Sequence, residues 1–141
     1  MFINNYYKNI IMTIPKIIHQ IWIGPKPIPI NMIKTWKDKH PDFEHILWNK
    51  EEIKKRNMEF KCQKRIDEME EWCGKADIMR IEILYKYGGI YIDTDFECLG
   101  KIPNSLLKYD FVFLGVLDGK IQQLGFKPLS FHFKSIKNSF N

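Results

Sequence analysis

Asp93 and Asp95 stand two apart around Thr94, so an extended or tightly turned backbone points both carboxylates the same way. Two adjacent carboxylates repel each other and are hard to desolvate, which calls for a positive partner. A hard divalent cation, Mg2+ or Mn2+, suits them best: one or two carboxylates hold it while diphosphate oxygens and water complete the shell. Alone, a D-x-D is a weak signal, because polar loops often carry two acids. A second pair strengthens it. Asp77 and Arg80 are three apart and share one face of a helix, and among the apolar residues Ile78, Met79, Ile81, Ile83, Leu84, Tyr85 and Tyr87 such charges pair or meet a ligand.

Those apolar residues lie on nearly every side of the helix, which predicts one buried in a core. Gly88 and Gly89 supply the positive φ that ends it. Ile90-Tyr91-Ile92 then reads as a short buried strand, with a strand expected over 90–93. The acids therefore fall at a strand end, where α/β sheets bind ligands.

Ala76-Asp77, Arg80, Leu84-Tyr85, Tyr87-Gly88-Gly89, Tyr91 and Asp93-Thr94-Asp95 together resemble the DXD-containing sugar transferases, a family that groups fungal initiating mannosyltransferases, capsular polysaccharide enzymes and large glucosylating bacterial toxins. The resemblance implies a GT-A (Rossmann-like) fold, a nucleotide-diphosphate-sugar donor, a divalent metal and transfer with retention to a glycan or protein acceptor. It implies catalytic roles for Asp93, Asp95 and Arg80, with Asp95 as direct metal ligand and Asp93 reaching the metal shell through water. Asp93, Asp77 and Arg80 would hold the donor. A salt bridge tethering helix to strand is the structural alternative for Asp77 and Arg80, and Tyr91 is expected to pack in the sheet.

The resemblance continues in Ile14-Pro15-Lys16-Ile17-Ile18-His19-Gln20-Ile21-Trp22-Ile23-Gly24. Apolar residues on both faces predict a central strand over 16–23, and Gly24 with prolines 25, 27 and 29 forces a non-helical exit. In toxin members the matching aromatic stacks on the donor's base, which makes Trp22 the candidate base platform; a buried core tryptophan is the alternative. His19, with no second ligand at metal spacing, reads as a hydrogen-bonded core residue.

Further along, Ile30, Ile33 and Trp36 share one face of a helix ended by His40-Pro41, and a strand follows over 44–48. Asn49 caps a short helix through Arg56, with acids first and bases last. The βαβα order predicts an α/β fold with a mostly parallel sheet flanked by helices. Two helices, 62–72 and 75–87, are expected with a break at Gly74. Leu106-Leu107 forms a helical turn, a fourth strand of the same sheet runs over 110–115, and Asp118-Gly119 turns a hairpin between Val116-Leu117 and Ile121.

A chain of 141 residues buries roughly two thirds of its unfolded surface as one domain. Its expected division is a frayed leader (1–13), a GT-A domain (14–125) and an atypical tail (126–141), with the acceptor-binding half and a C-terminal metal ligand of the family truncated away. That leaves two readings: an active transferase, or an inactive member that binds a nucleotide or a partner. The net charge of +5 invites nucleic acid, but the longest basic run, Lys54-Lys55-Arg56, follows Glu51-Glu52 as a dipole-matched helix end, so no nucleic-acid partner is expected. No segment reaches the ~18 apolar residues of a membrane span. The three cysteines lack C-x-x-C spacing and read as buried free thiols in a cytoplasmic setting.

Overall fold

A computed structural model describes residues 14–109 and the backbone of two later strands, Leu114–Leu117 and Lys120–Gln123. The expected leader and tail, and residues 110–113 of the fourth strand, lie outside the described residues. The chain divides into two compact units, Pro15–Lys101 and the combination of Met1–Ile14 with Ile102–Asn141. Among the described residues no helix is long and apolar enough to cross a membrane.

The first of these units is built on three strands, β1 (Ile17–Ile21), β2 (Glu44–Trp48) and β3 (Ile90–Tyr91), ordered β2-β1-β3 and all parallel. Ile17 stands opposite Glu44 and Ile21 opposite Trp48, while His19 stands opposite Tyr91. The helices are α1 (Ile30–Lys39), α2 (Lys50–Lys55), α3 (Gln63–Glu68) and α4 (Trp72–Tyr87). This is the expected α/β, GT-A-like arrangement of a parallel sheet flanked by helices. As a central strand, β1 has Ile18, His19, Gln20 and Ile21 all buried. Asn49 caps α2 as its sequence predicts, its side chain accepting the Glu52 N–H at 2.8 Å.

The core joins Ile21, Ile46 and Trp48 of the sheet to Met58, Phe60, Ile66 and, from α4, Met79 and Ile83. Here one expectation is corrected. Only Met79 and Ile83 of α4 are fully buried; Ala76, Ile78 and Tyr87 are half-buried against the core, and Trp72 and Tyr85 are exposed, so the helix is covered on one side rather than on every side. Tyr85 is 66 % exposed, with the Lys61 ammonium 5.5 Å from its ring centre.

The helix break also moves. It falls at Met69–Glu71, and Gly74 lies inside α4. Met69 leaves α3 in extended backbone and folds its side chain back over Gly74, where a Cβ would sit 2.7 Å from the Met69 sulfur. Gly74 thus serves close packing, not helix termination. Cys62 and Cys73, at the starts of α3 and α4, are exposed, and only Cys98 is the buried thiol expected of all three.

In the other unit a 3-10 turn spans Asn104–Lys108, as expected near Leu106-Leu107, and the Leu107 carbonyl accepts the Ile14 N–H at 2.8 Å. β4 (Leu114–Leu117) and β5 (Lys120–Gln123) form an antiparallel hairpin with Leu117 opposite Lys120, the pairing that Asp118-Gly119 predicts. The fourth strand therefore belongs to a separate two-stranded sheet. Its antiparallel partner begins at Lys120, close in sequence, so it needs no crossover.

Candidate donor-binding site

Because the three strands are parallel, they end at one edge, and the residues that follow them collect there. Trp22 follows β1, Asn49 follows β2, and Ile92-Asp93 follows β3. β3 is shorter than expected: its ladder closes with the Ile92 N–H donating to the His19 carbonyl at 3.0 Å, and Asp93 lies just beyond. The chain then turns, the Phe96 N–H reaching the Asp93 carbonyl at 3.3 Å. Thr94 is buried while Asp93 and Asp95 are exposed. The alternation turns both carboxylates outward, as the two-residue spacing predicts.

Asp77, Arg80, Tyr91 and Asp93 meet in one network. Arg80 Nη2 lies 3.1 Å from Asp77 Oδ1, and the same guanidinium stands 5.5 Å from the centre of the Tyr91 ring. The Tyr91 hydroxyl stands near the Asp93 carboxylate, and its pKa is raised well above the usual 10, by burial first and then by the neighbouring Asp93 carboxylate. Tyr91 therefore packs against the core, as expected, and also joins the helix pair to the strand acid. Spacing alone does not show this second role. Another expectation changes: the Asp77 and Arg80 side chains are 60 % and 38 % exposed, an accessible pair rather than a buried one. The Asp77–Arg80 bridge lies within α4, and the tether to the strand runs through the Tyr91 ring.

The turn carrying the acids is held from α1 by residues that sequence reading missed. Trp36 Nε1–H donates to the Phe96 carbonyl at 2.7 Å, and Thr35 Oγ1 accepts the Cys98 N–H at 2.8 Å. These contacts span about sixty residues, and only the apolar position of Trp36 hinted at them. The Cys98 thiol donates to the Gly100 carbonyl at 3.1 Å, and burial raises its pKa. It therefore acts as a structural thiol.

Trp22 is half-buried at the same strand edge, with its indole N–H donating to the Lys26 carbonyl at 2.9 Å. Its nitrogen is thus engaged by the proline-rich exit loop rather than by the carboxylates. For a divalent cation, the chain supplies the two exposed carboxylates of Asp93 and Asp95. Among the described residues no group of three or more His, Cys, Asp or Glu is arranged to hold a metal ion. Two hard oxygen donors fit a six-coordinate cation that brings further ligands with it, and do not form a closed cage. Arg56, the end of the basic run, is committed elsewhere: it pairs with Glu44 at 2.9 Å and Glu52 at 2.5 Å and lies over Trp48.

The profile of the family described as "Glycosyltransferase sugar-binding region containing DXD motif" matches residues 29–112. The chain is 38% identical over 112 residues to inositol phosphoceramide mannosyltransferase 3 of Schizosaccharomyces pombe, covering 73% of this chain and 30% of that protein. It is 37% identical over 120 residues to mannosyl phosphorylinositol ceramide synthase CSH1 of Saccharomyces cerevisiae, covering 76% and 31%. With the uncharacterized glycosyltransferase L373 of Acanthamoeba polyphaga mimivirus it shares 36% identity over 100 residues, covering 66% and 40%. The chain thus spans less than half the length of these relatives. No solved structure matches. Since the matched region covers more than half of the chain and takes in Asp77, Arg80, Asp93 and Asp95, the chain belongs to the family of glycosyltransferases whose sugar-binding region contains the DXD motif.

Proposed function

We propose that this chain binds a nucleotide-diphosphate sugar at the Asp93–Asp95 edge and serves transfer of the sugar, with retention, to an acceptor hydroxyl. The observation that carries the reading is the cluster of Asp77, Arg80, Tyr91 and Asp93, which brings a guanidinium close to the strand-end acid, with the exposed carboxylate of Asp95 two residues further on. Asp95, with Asp93 beside it, would hold Mn2+ or Mg2+, which when bound supplies charge stabilisation for the departing diphosphate. The guanidinium of Arg80 is placed to attract the same negative charge, and Asp77 fixes its orientation and can accept from sugar hydroxyls. In the transfer the bond from the anomeric carbon to the diphosphate oxygen breaks, and a bond to the acceptor oxygen forms on the same face. The acceptor proton leaves with the diphosphate. Trp22 would stack on the base. The names of the yeast relatives favour mannose as the sugar and widen the acceptor class from a glycan or protein to an inositol-phosphate lipid.

The test is a melting experiment with Mn2+ and a panel of UDP, GDP and CDP, followed by assay of released nucleoside diphosphate from the matching sugars. Two carboxylates alone bind a cation poorly, so Mn2+ should raise the melting temperature only with a nucleotide present. Asp95→Asn should abolish that joint shift and leave the metal-free melting temperature unchanged or higher. A shift without release would identify a nucleotide-binding member that does not catalyse. No shift with any of the three nucleotides would overturn the reading.

A further inference from the structure

β3 is only two residues long, yet it carries the D-x-D turn. A strand that short makes too few ladder bonds to hold its own place, so its position must come from elsewhere. One residue of the central strand grips both ends of the segment. His19 accepts the Ile92 N–H through its backbone carbonyl at 3.0 Å, and its ring Nε2 lies 2.9 Å from the Gly88 carbonyl. The other ring nitrogen, Nδ1, accepts the Trp48 indole N–H at 3.0 Å. A carbonyl can only accept and an indole N–H can only donate, so the ring is neutral with its proton on Nε2. Burial also favours the neutral form. The Trp48 and Tyr87 rings enclose the imidazole, each with its centre 6.0 Å away.

The Gly88-Gly89 turn is closely confined as well. Both glycines have positive φ, 65° and 87°. A Cβ on Gly89 would meet the Ile17 carbonyl at 2.7 Å and His19 Nε2 at 3.1 Å, and one on Gly88 would meet Pro15 at 3.0 Å. The turn therefore lies directly on β1, with His19 as its only polar side-chain contact among those close approaches.

We infer that His19 is a positioning residue for the D-x-D on its strand side: its Nε2–H bond to Gly88, with its backbone bond to Ile92, sets where β3 leaves the sheet and hence where Asp93 and its Tyr91 neighbour stand, while Trp36 and Thr35 hold the far side of the turn. This rests on the donor-site reading above. A residue that merely filled the core would change stability without changing how the folded protein binds nucleotide.

Two substitutions separate the roles. In His19→Gln the side-chain amide nitrogen can take the place of Nε2 and keep the bond to Gly88. In His19→Asn the shorter side chain reaches only the position of Nδ1 and loses Gly88. Binding of Mn2+ with the nucleotide that shifts the wild type is measured by calorimetry, well below each variant's melting temperature. Misplacing a site by about 1 Å can cost up to ~100-fold, so His19→Asn should weaken binding roughly tenfold or more, while His19→Gln stays within about threefold of wild type. Hydrogen exchange of the Ile92 amide provides a second readout that needs no nucleotide: it should be faster in His19→Asn and near wild type in His19→Gln. Should His19→Asn not fold, Trp48→Phe removes the indole N–H that fixes the tautomer together with part of the buried ring, and, measured well below that variant's own melting temperature, a severalfold weaker affinity with faster Ile92 exchange is expected. If both His19 variants melt lower but bind with wild-type affinity and show unchanged Ile92 exchange, the inference is overturned. A wild type that binds no nucleotide overturns the donor-site reading instead, and the exchange rates then decide this inference alone.

Discussion

Tyr91 shows how much a single hydroxyl can organise. Its ring faces the core and the Arg80 guanidinium, and its hydroxyl lies near Asp93. Tyr91→Phe keeps the ring and removes only the hydroxyl beside Asp93, so weaker joint binding of Mn2+ and nucleotide by calorimetry is expected, with little change in the melting temperature. Trp22→Ala should cost nucleotide binding about 1–3 kcal/mol if the indole stacks on the base. Equal loss of folded protein in circular dichroism would assign Trp22 to the core instead. Gln20 is the opposite case. It is 3 % exposed, and its amide nitrogen has no hydrogen-bond partner among the described residues. A buried unsatisfied amide costs about 1–3 kcal/mol, so Gln20→Met should raise the midpoint of urea unfolding.

Helices in this chain are finished by their neighbours as much as by their own sequence. α3 has no side-chain cap of its own, and Glu82 of α4 supplies one across the fold, accepting the Lys61 and Cys62 N–H groups at 2.7 and 2.8 Å. Hydrogen bonds to a charged acceptor are worth about 1.5–3 kcal/mol each before solvent screening, so Glu82→Ala should destabilise the protein by about 2 kcal/mol, with faster amide exchange at the start of α3. The segment after the D-x-D is likewise fixed by Trp36 and Thr35 of α1 rather than by a strand of its own.

Across the whole molecule, His19 makes stability depend on pH. Its folded pKa is lowered from the ordinary 6.5 by burial, the largest cause, and by the Arg56 charge, against the raising effects of the Gly88 hydrogen bond and the Glu44 charge. Above about pH 6.5 the imidazole is neutral in both the folded and unfolded chain, and its full contribution is present. As pH falls below that value the unfolded chain takes up a proton that the folded protein refuses. Stability should then fall by up to about 1.4 kcal/mol per pH unit from this group, until the lowered folded pKa is reached. Urea unfolding midpoints of wild type and His19→Gln between neutral and mildly acidic pH should diverge in the wild type's disfavour as pH falls.

What could be read from the amino-acid order was whatever neighbours encode for each other. The Ile30–Lys39 helix, the Asn49 cap, the positive-φ glycines at 88 and 89 and the hairpin around Asp118-Gly119 follow from periodicity and turn chemistry within a few residues. The two-residue spacing of Asp93 and Asp95 sufficed to turn both carboxylates outward, and the helical spacing of Asp77 and Arg80 sufficed to pair them. Contacts between distant residues left no such trace. That α4 buries only Met79 and Ile83 depends on which of its faces packs on the core, and that Gly74 lies within a helix goes with where the Met69 side chain folds back. The tyrosine joining Arg80 to Asp93, the histidine reaching a carbonyl 69 residues away and the tryptophan holding the acidic turn from α1 each depend on the path of the chain in three dimensions. Local hydrogen bonds and side-chain periods are written in consecutive residues, whereas burial and long-range partners exist only once packing has brought the elements together.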